Sequence, residues 1–285
     1  MSLREFRFPH ISDTSRELRG GVVSVRNRSG DKVIDSDSDD FETVKVAVFP
    51  GWGVRMEALE PLARRLAAEL DKDVLVVEEN YAVQRSRDNP NSNGAYHREI
   101  AESVLSLFED KAEKSMVVAY SKACVPVTQA FEGKEHYLAY LQGPFLDSPL
   151  TPNQLTVRFV AEGLTDSLSV GNWEGLTQYS VGLVRDIFLR PRALFNALED
   201  VELIAQGVDR NLIPSKSLAF QARDDSLFPY DEARKVWESI GRVTDLVQLQ
   251  KGSMRRGHLY PIVEGDFTGY FLVDQMRRRF GDEAI

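Results

Sequence analysis

Residues 116–125 read MVVAYSKACV, and this stretch decides the fold that the sequence predicts. The apolar run 116–119 is typical of a short buried strand, and the chain can continue as a helix over 122–131. Ser121 therefore lies at the junction between a strand and a helix. The residues two positions before and after it are both alanine, and a tight strand-to-helix turn requires small residues there because larger side chains would collide.

Short apolar strands and amphipathic helices alternate along most of the chain around this junction. The predicted strands are 44–49, a run from Val74, 116–119, 136–144, 216–222 and 245–250. The predicted helices are about 58–70, 96–108, 122–131 and 230–240, and a closing helix that contains Phe267, Phe271 and Met276. This alternation predicts an α/β fold with a mostly parallel central sheet and helices on both faces. Right-handed crossovers then gather the carboxyl ends of the strands at one edge, where ligands bind.

Two segments depart from the alternation. A short hairpin is predicted before it, with strands at 21–27 and 32–35 joined by RSGD, and the acidic stretch 35–42 that follows is either a solvated loop or an interaction tail, of which we favour the loop. Later, about 70 residues separate two strands, which is too many for a plain connection in a compact domain. We therefore predict a helical cap at 145–214, inserted in a core domain of 1–144 and 215–285.

Composition excludes several classes of function. The formal net charge is -9, so the chain has no basic field that would hold nucleic acid or an anionic membrane surface. Cys124 is the single cysteine, which rules out an intramolecular disulfide and a cysteine-based zinc site. The start of the chain, MSLREFRFPH, has charges where a secretory signal needs an apolar core, and no run approaches the ~20 apolar residues of a membrane span. We expect a cytoplasmic protein with no nucleic-acid partner and no membrane span.

Four candidate site features follow predicted strands. They are Ser121, Asp225 in ARDDSLFP, His258 in RRGHLYP, and the turn FPGWGV at 49–54. Each alone has an ordinary explanation: a structural serine, an acidic turn residue, an exposed loop histidine and a Pro-Gly turn. Together they have the types, order and positions that nucleophilic catalysis needs, because a serine attacks only when a base takes its proton and a carboxylate orients that base. The glycine turn can present backbone N–H groups to an oxyanion.

The other histidines do not fit the role of the base. His10 precedes the sheet, His97 opens a helix, and His136 begins a strand at the opposite edge. Only His258 follows the candidate acid along the chain.

In these features the chain resembles the α/β-hydrolase family, from about Gly21 to Phe280. The family's nucleophile elbow, usually Gly-x-Ser-x-Gly, matches Ala119-Tyr120-Ser121-Lys122-Ala123, with alanine in place of both glycines. The family's acid commonly precedes a proline by four residues, which favours Asp225 over Asp224. The family's histidine follows the last strand and matches His258.

The resemblance also implies an oxyanion hole. The family's oxyanion loop matches Pro50-Gly51-Trp52-Gly53, which implies donors at the amides of Trp52 and Lys122. We predict that Gly51 and Tyr120, next to these donors, bind substrate. Many relatives have a histidine before this loop, where the present chain has Phe-Pro, and the loop after the strand at Val74 lacks the Gly-x-Gly-x-Ser of many capped relatives.

Several side chains near the proposed site have alternative interpretations. The Lys122 ammonium can favour a developing oxyanion, favour an acidic substrate or point into solvent, and we favour solvent. Cys124 is interpreted as a small core residue rather than as a second nucleophile. Apolar positions of the predicted cap can line an acyl or alkyl pocket or pack the cap onto the sheet, and they include Trp173, Leu183, Phe188 and Phe195.

The function that the resemblance implies is a serine hydrolase that cleaves a carboxylic ester or a related acyl bond through an acyl-enzyme. Ser121 attacks, His258 acts as base and then as acid, and Asp225 orients the histidine. The substrate is a small ester or acyl compound, and the mechanism requires no cofactor and no metal. The alternatives are an acyltransferase or thioesterase with the same triad, and a catalytically silent binding protein, for which the altered elbow and Lys122 are the grounds. The sequence leaves the oligomeric state open.

Overall fold

The computed structural model describes residues 3–10, 13–24, 34–35, 44–52, 54, 56–78, 95–109, 115–159, 161, 191–249 and 257–282. Its strands form one sheet in the order β3-β1-β2-β5-β4-β6-β7-β8-β9. The strands are β1 Leu3–His10, β2 Asp13–Val23, β3 Ile34–Asp35, β4 Val44–Phe49, β5 Asp73–Val77, β6 Met116–Tyr120, β7 Tyr137–Leu141, β8 Ser217–Ala222 and β9 Leu246–Leu249. From β5 to β9 every neighbouring pair is parallel, which confirms the predicted fold class.

Helices cover both faces of this sheet. The described α-helices are α1 Glu60–Leu70, α2 Ala95–Glu109, α3 Cys124–Ala130, α4 152–159, α5 Pro191–Gln206, α6 Tyr230–Ser239, α7 Tyr260–Val263 and α8 Gly265–Phe280. On one face α2, α3 and α6 pack on the sheet through side chains such as Phe108, Val127 and Trp237. On the other face α1 and α8 do so through side chains such as Leu66 and Leu272. None of the helices in the described part combines the length and the apolar character that crossing a membrane requires.

The parallel strands are continuous apolar runs because they are covered on both faces. Every residue of β5, β6, β7 and β8 is buried, as expected for a sheet between two helical layers. Each Val or Leu side chain that is fully buried in this way contributes about 1.5–3 kcal/mol relative to an exposed position. The central sheet is therefore a rigid base for the residues at its carboxyl edge.

The predicted amino-terminal hairpin is wrong. Gly21 and its neighbours belong to β2, which pairs antiparallel with β1 and with β5, and β3 pairs parallel with β1. RSGD favours pairing between its two flanking segments, but in the described residues β2 lies between β1 and β5, and Val22 and Val23 are completely buried there. Residues 25–33, which include RSGD, lie outside the described residues. The close approach requires glycine, since a Cβ at Gly20 would lie 2.7 Å from the carbonyl oxygen of Val76.

The segment 145–214 contributes α4 and α5 to the described structure. Trp173, Leu183 and Phe188, which are candidate pocket residues, lie outside the described residues, and the structure describes only the backbone of Phe195, in α5. The division of the chain into core and cap therefore stays a prediction.

Close packing of α8 on α1 gives a test of this architecture. A Cβ at Gly269 would lie 2.8 Å from Arg65 Cβ and 3.1 Å from the Leu62 carbonyl oxygen. Gly269→Val should therefore lower the free energy of unfolding by about 1–3 kcal/mol through overpacking, measured by denaturant unfolding. Tyr270→Val, at the next position and 47% exposed, is the control and should cost under about 1 kcal/mol. Equal losses in the two variants would contradict the packing.

Candidate active site

Ser121 lies in a strained turn at the carboxyl end of β6. It begins a 3-10 turn, Ser121–Ala123, that leads directly into α3. Its φ angle is +54°, in the left-handed region that costs a residue other than glycine roughly 1–2 kcal/mol. Gly51 packs against this turn so closely that a Cβ there would lie 2.9 Å from Ser121 Cβ. The strand, the sharp turn and the helix thus occur where the sequence places the elbow.

Three of the predicted site residues form a continuous chain of hydrogen bonds. Ser121 Oγ lies 2.7 Å from His258 Nε2, and His258 Nδ1 lies 2.9 Å from Asp225 Oδ2. Asp225 is in the loop after β8, and His258 is in a short 3-10 turn that follows β9, so all three lie at the carboxyl edge of the sheet. All three residues are buried.

The environment of Asp225 determines which nitrogen of His258 carries a proton. Oδ1 of Asp225 accepts hydrogen bonds from the amides of Leu227 and Phe228, each at 2.9 Å, and Oδ2 accepts one from Gln221 Nε2 at 2.9 Å. Because a carboxylate only accepts, His258 Nδ1 must donate to it, and Nε2 is then the acceptor for the Ser121 hydroxyl. Asp224, the alternative acid, instead accepts a long hydrogen bond of 3.4 Å from the Gly257 amide.

Aromatic side chains hold the His258 ring. The Tyr120 ring stacks on it with centroids 5.6 Å apart and planes 24° apart, and Phe228 meets it edge-on at 5.2 Å. The Tyr120 hydroxyl donates to the His258 carbonyl oxygen at 2.8 Å. Tyr120 is 1% exposed, so these contacts favour a positioning role for this residue over the contact with substrate that the sequence analysis assigned to it.

Gln142 is a site residue that the sequence analysis missed. It follows β7, is fully buried and has a left-handed backbone with φ +49°. Its Nε2 donates to the Gly257 carbonyl oxygen at 2.8 Å, and its Oε1 accepts from the Ala222 amide at 2.8 Å. Gln142 therefore joins the end of β8 to the turn that carries His258. The available signal was a polar residue directly after a buried strand, at the same edge as the candidate acid and base.

The two residues that carry the predicted oxyanion donors adjoin either Ser121 or the glycine packed against it. Lys122 is the next residue in the chain, and Trp52 follows Gly51, which contacts both Ser121 and the Tyr120 ring. The Val54 amide donates to the Gly51 carbonyl oxygen at 3.1 Å and closes a turn around Trp52. The Trp52 ring packs on Phe159 of α4, with centroids 5.2 Å apart. Gly53 lies outside the described residues.

The side chain of Lys122 is buried, so the prediction that it points into solvent is wrong. It is 0% exposed, and its Nζ lies 3.7 Å from Asp200 Oδ2. The sequence could not show this because Asp200 is far along the chain, on α5.

Cys124 is a buried core residue, as the sequence predicts. Its thiol donates to the Ala119 carbonyl oxygen at 3.2 Å, and burial raises the pKa of the thiol well above its ordinary value. A thiol that stays protonated is a poor nucleophile.

Comparison with solved structures identifies the fold. An esterase from Pyrococcus furiosus aligns with a TM-score of 0.54 at 13% identity, over 98% of this chain and 92% of that one. An α/β-hydrolase fold protein from Nakamurella multipartita aligns with a TM-score of 0.51 at 15% identity, over 99% of both chains. A bromoperoxidase from Bacillus anthracis aligns with a TM-score of 0.58 at 10% identity, over 95% and 99%.

No protein-family model matches the sequence, and no curated protein matches it. Identities of 10–15% show the fold and no more. The chain has the α/β-hydrolase fold.

The bridge made by Gln142 can be tested by comparing two truncations. Gln142→Ala and Gln142→Gly both leave the Gly257 carbonyl and the Ala222 amide without this partner, which should lower the free energy of unfolding by about 1–3 kcal/mol. Gln142→Ala should lower the free energy of unfolding more than Gln142→Gly does, because glycine accepts a positive φ without strain. Denaturant unfolding measures both, with the half-exposed Gln275→Ala as control. The bridge is contradicted if all three variants unfold alike.

Proposed function

We propose that the protein is a serine hydrolase that cleaves a carboxylic ester or a related acyl bond through an acyl-enzyme. The observation that carries this proposal is the hydrogen-bonded chain from Ser121 through His258 to Asp225, on a strained turn of an α/β-hydrolase fold. A protein of the same fold is described as an esterase, which supports the proposal.

The positions of the protons in the triad suit general-base catalysis. As Ser121 Oγ attacks the acyl carbon, its proton passes to His258 Nε2, the nitrogen that accepts the hydroxyl's hydrogen bond. The imidazolium that forms keeps its Nδ1–H on Asp225, whose negative charge stabilises it. His258 then gives the Nε2 proton to the departing alkoxide, and water, activated by the same nitrogen, releases the acid and restores Ser121.

The tetrahedral oxyanion is the species that the two amides of Trp52 and Lys122 are proposed to stabilise. Donors fixed before the reaction are effective because they need no reorganisation as charge develops. The close contact between Gly51 and Ser121 brings the turn with Trp52 next to the nucleophile. These steps use only residues of the chain and need no cofactor or metal.

We also propose that 145–214 is a cap over this edge of the sheet. A third apolar cluster, separate from the two on the faces of the sheet, joins this segment to the site. It includes Leu155 of α4 and Ile204 of α5 together with Phe228, which contacts His258. The partly buried rings of Trp52 and Phe159 pack against the same cluster, which supports an apolar environment for the acyl group.

The structure offers less support for a silent binding protein. The two alanines of the elbow fit the turn, since Ala119 and Ala123 are fully buried beside it. Lys122, the other reason for that alternative, is directed into the protein interior. An acyltransferase or thioesterase would share the acyl-enzyme and differ in the acceptor or in the leaving group.

The first test is covalent labelling. A small fluorophosphonate should add once to the wild-type chain and not to Ser121→Ala or His258→Ala, because such probes react with serines that a base and an oxyanion hole activate. Intact mass spectrometry measures the adduct, and circular dichroism verifies that each variant is folded. An unlabelled, folded wild type would contradict the proposal, and so would a label that persists on Ser121→Ala.

The second test compares the two neighbouring aspartates. With short-chain nitrophenyl esters as substrates, Ser121→Ala should lower kcat/KM by on the order of 10⁴, and Asp225→Asn by about 10³–10⁴ because the amide favours the wrong tautomer of His258. Asp224→Asn is the matched control and should stay within about threefold of wild type, since Asp225 rather than Asp224 bonds to the His258 ring, and Asp224 accepts from the Gly257 amide at 3.4 Å. If Asp224→Asn were the more damaging change, the assignment of the acid would be reversed.

A further inference from the structure

Three ionisable side chains that are not part of the triad meet at the elbow. Lys122 Nζ lies 3.7 Å from Asp200 Oδ2 and 3.5 Å from His97 Nε2, and His97 Nε2 lies 2.7 Å from Asp200 Oδ1. We call these residues the Lys122 cluster. They come from the elbow turn, from α5 and from α2, and all three are buried.

The charges of this cluster are matched. A buried ammonium is destabilising unless a carboxylate pairs with it, and Asp200 supplies that carboxylate. The short distance from His97 Nε2 to Asp200 Oδ1 is a hydrogen bond in which the carboxylate accepts, so Nε2 carries the proton. Lys122 therefore interacts with Asp200, and its 3.5 Å approach to Nε2 does not join a donor to an acceptor. With a neutral imidazole the cluster has no net charge.

The position of Lys122 in the chain links this cluster to the nucleophile. Lys122 follows Ser121, and its own amide is one of the two proposed oxyanion donors. The left-handed backbone of Ser121 persists only where the surroundings hold it in place. The far end of the Lys122 side chain is held by Asp200, and α5 also packs directly against the elbow turn.

We propose that Asp200 is a positioning residue for Ser121: by holding the Lys122 ammonium, it fixes the turn that presents the nucleophile and the Lys122 amide. This inference rests on the proposed function. Asp200 contacts Lys122 and His97 rather than the reacting atoms, so its effect is transmitted through the elbow. Because α5 belongs to the segment 145–214, a residue of the predicted cap then controls the reactivity of a serine in the core.

The test measures the rate of labelling separately from its extent. Asp200→Asn removes the carboxylate that pairs with the ammonium. The double variant Lys122→Met/Asp200→Asn removes both charges, which protects folding because neither of the two is then buried without the other. Glu202→Gln, an exposed change on the same helix, is the matched control. For each, the end-point stoichiometry with fluorophosphonate gives the fraction of competent sites, and the second-order rate constant gives the reactivity of those sites.

Asp200→Asn and the double variant should both react about 10- to 100-fold more slowly per competent site, because small displacements of a nucleophile reduce rates by such factors. The pH profile of the rate should have a lower plateau with an unchanged midpoint, since His258 and Asp225 are intact. Glu202→Gln should react like the wild type.

Two results would overturn the inference. In the first, both variants react with fluorophosphonate at the wild-type rate constant and differ only in a lower midpoint of unfolding. The cluster would then stabilise the fold without positioning Ser121. In the second, the pH profile of the labelling rate keeps its plateau and shifts its midpoint, which would mean that the ammonium acts on His258 by charge alone. Failure of the proposed function is distinguishable from both, because the wild type would then take no label at Ser121.

Discussion

The left-handed backbone of Ser121 is the constraint on which the site depends. It reverses the chain between β6 and α3 within one short turn, at a φ of +54°. The strain of roughly 1–2 kcal/mol is small beside the apolar burial of the strand before it and the helix after it, where residues such as Val118 and Val127 are fully buried. The turn is possible because Gly51 has no side chain where Ser121 and Tyr120 lie.

The register of the parallel strands brings the polar residues that follow them to one edge of the sheet. Tyr120 is opposite Leu141, and Ala222 is opposite Leu249, so the residues that follow these strands emerge side by side. Gln142 uses this arrangement to join the ends of two strands to the turn with His258. The positions of the triad residues are therefore set by the ends of the strands and by the buried side-chain amide of Gln142, in addition to the loops that carry Asp225 and His258.

Local pattern was enough to predict the alternating strands and helices and to find Ser121, Asp225 and His258 after predicted strands, while the family resemblance favoured Asp225 over Asp224. It failed where a long-range partner decided the outcome. The predicted pairing of 21–27 with 32–35 was wrong in the described residues because β1 and β5 occupy both edges of β2. The inward direction of Lys122 depends on Asp200, which no periodicity connects to the elbow. Gln142 was missed because its one signal, a polar residue directly after a buried strand, is shared by ordinary turn residues.

Hydrogen bonds or ion pairs between buried polar side chains hold the elbow on both sides. On one side His258 accepts from the Ser121 hydroxyl and donates to Asp225. On the other side Asp200 and His97 lie around the Lys122 ammonium. A buried ion pair adds little stability compared with well-packed apolar side chains, because desolvation offsets most of the attraction. Hydrogen bonds and ion pairs are more restrictive in direction than apolar contacts. A strained turn held by such contacts on both sides has few alternative arrangements, which is the property that a nucleophile needs.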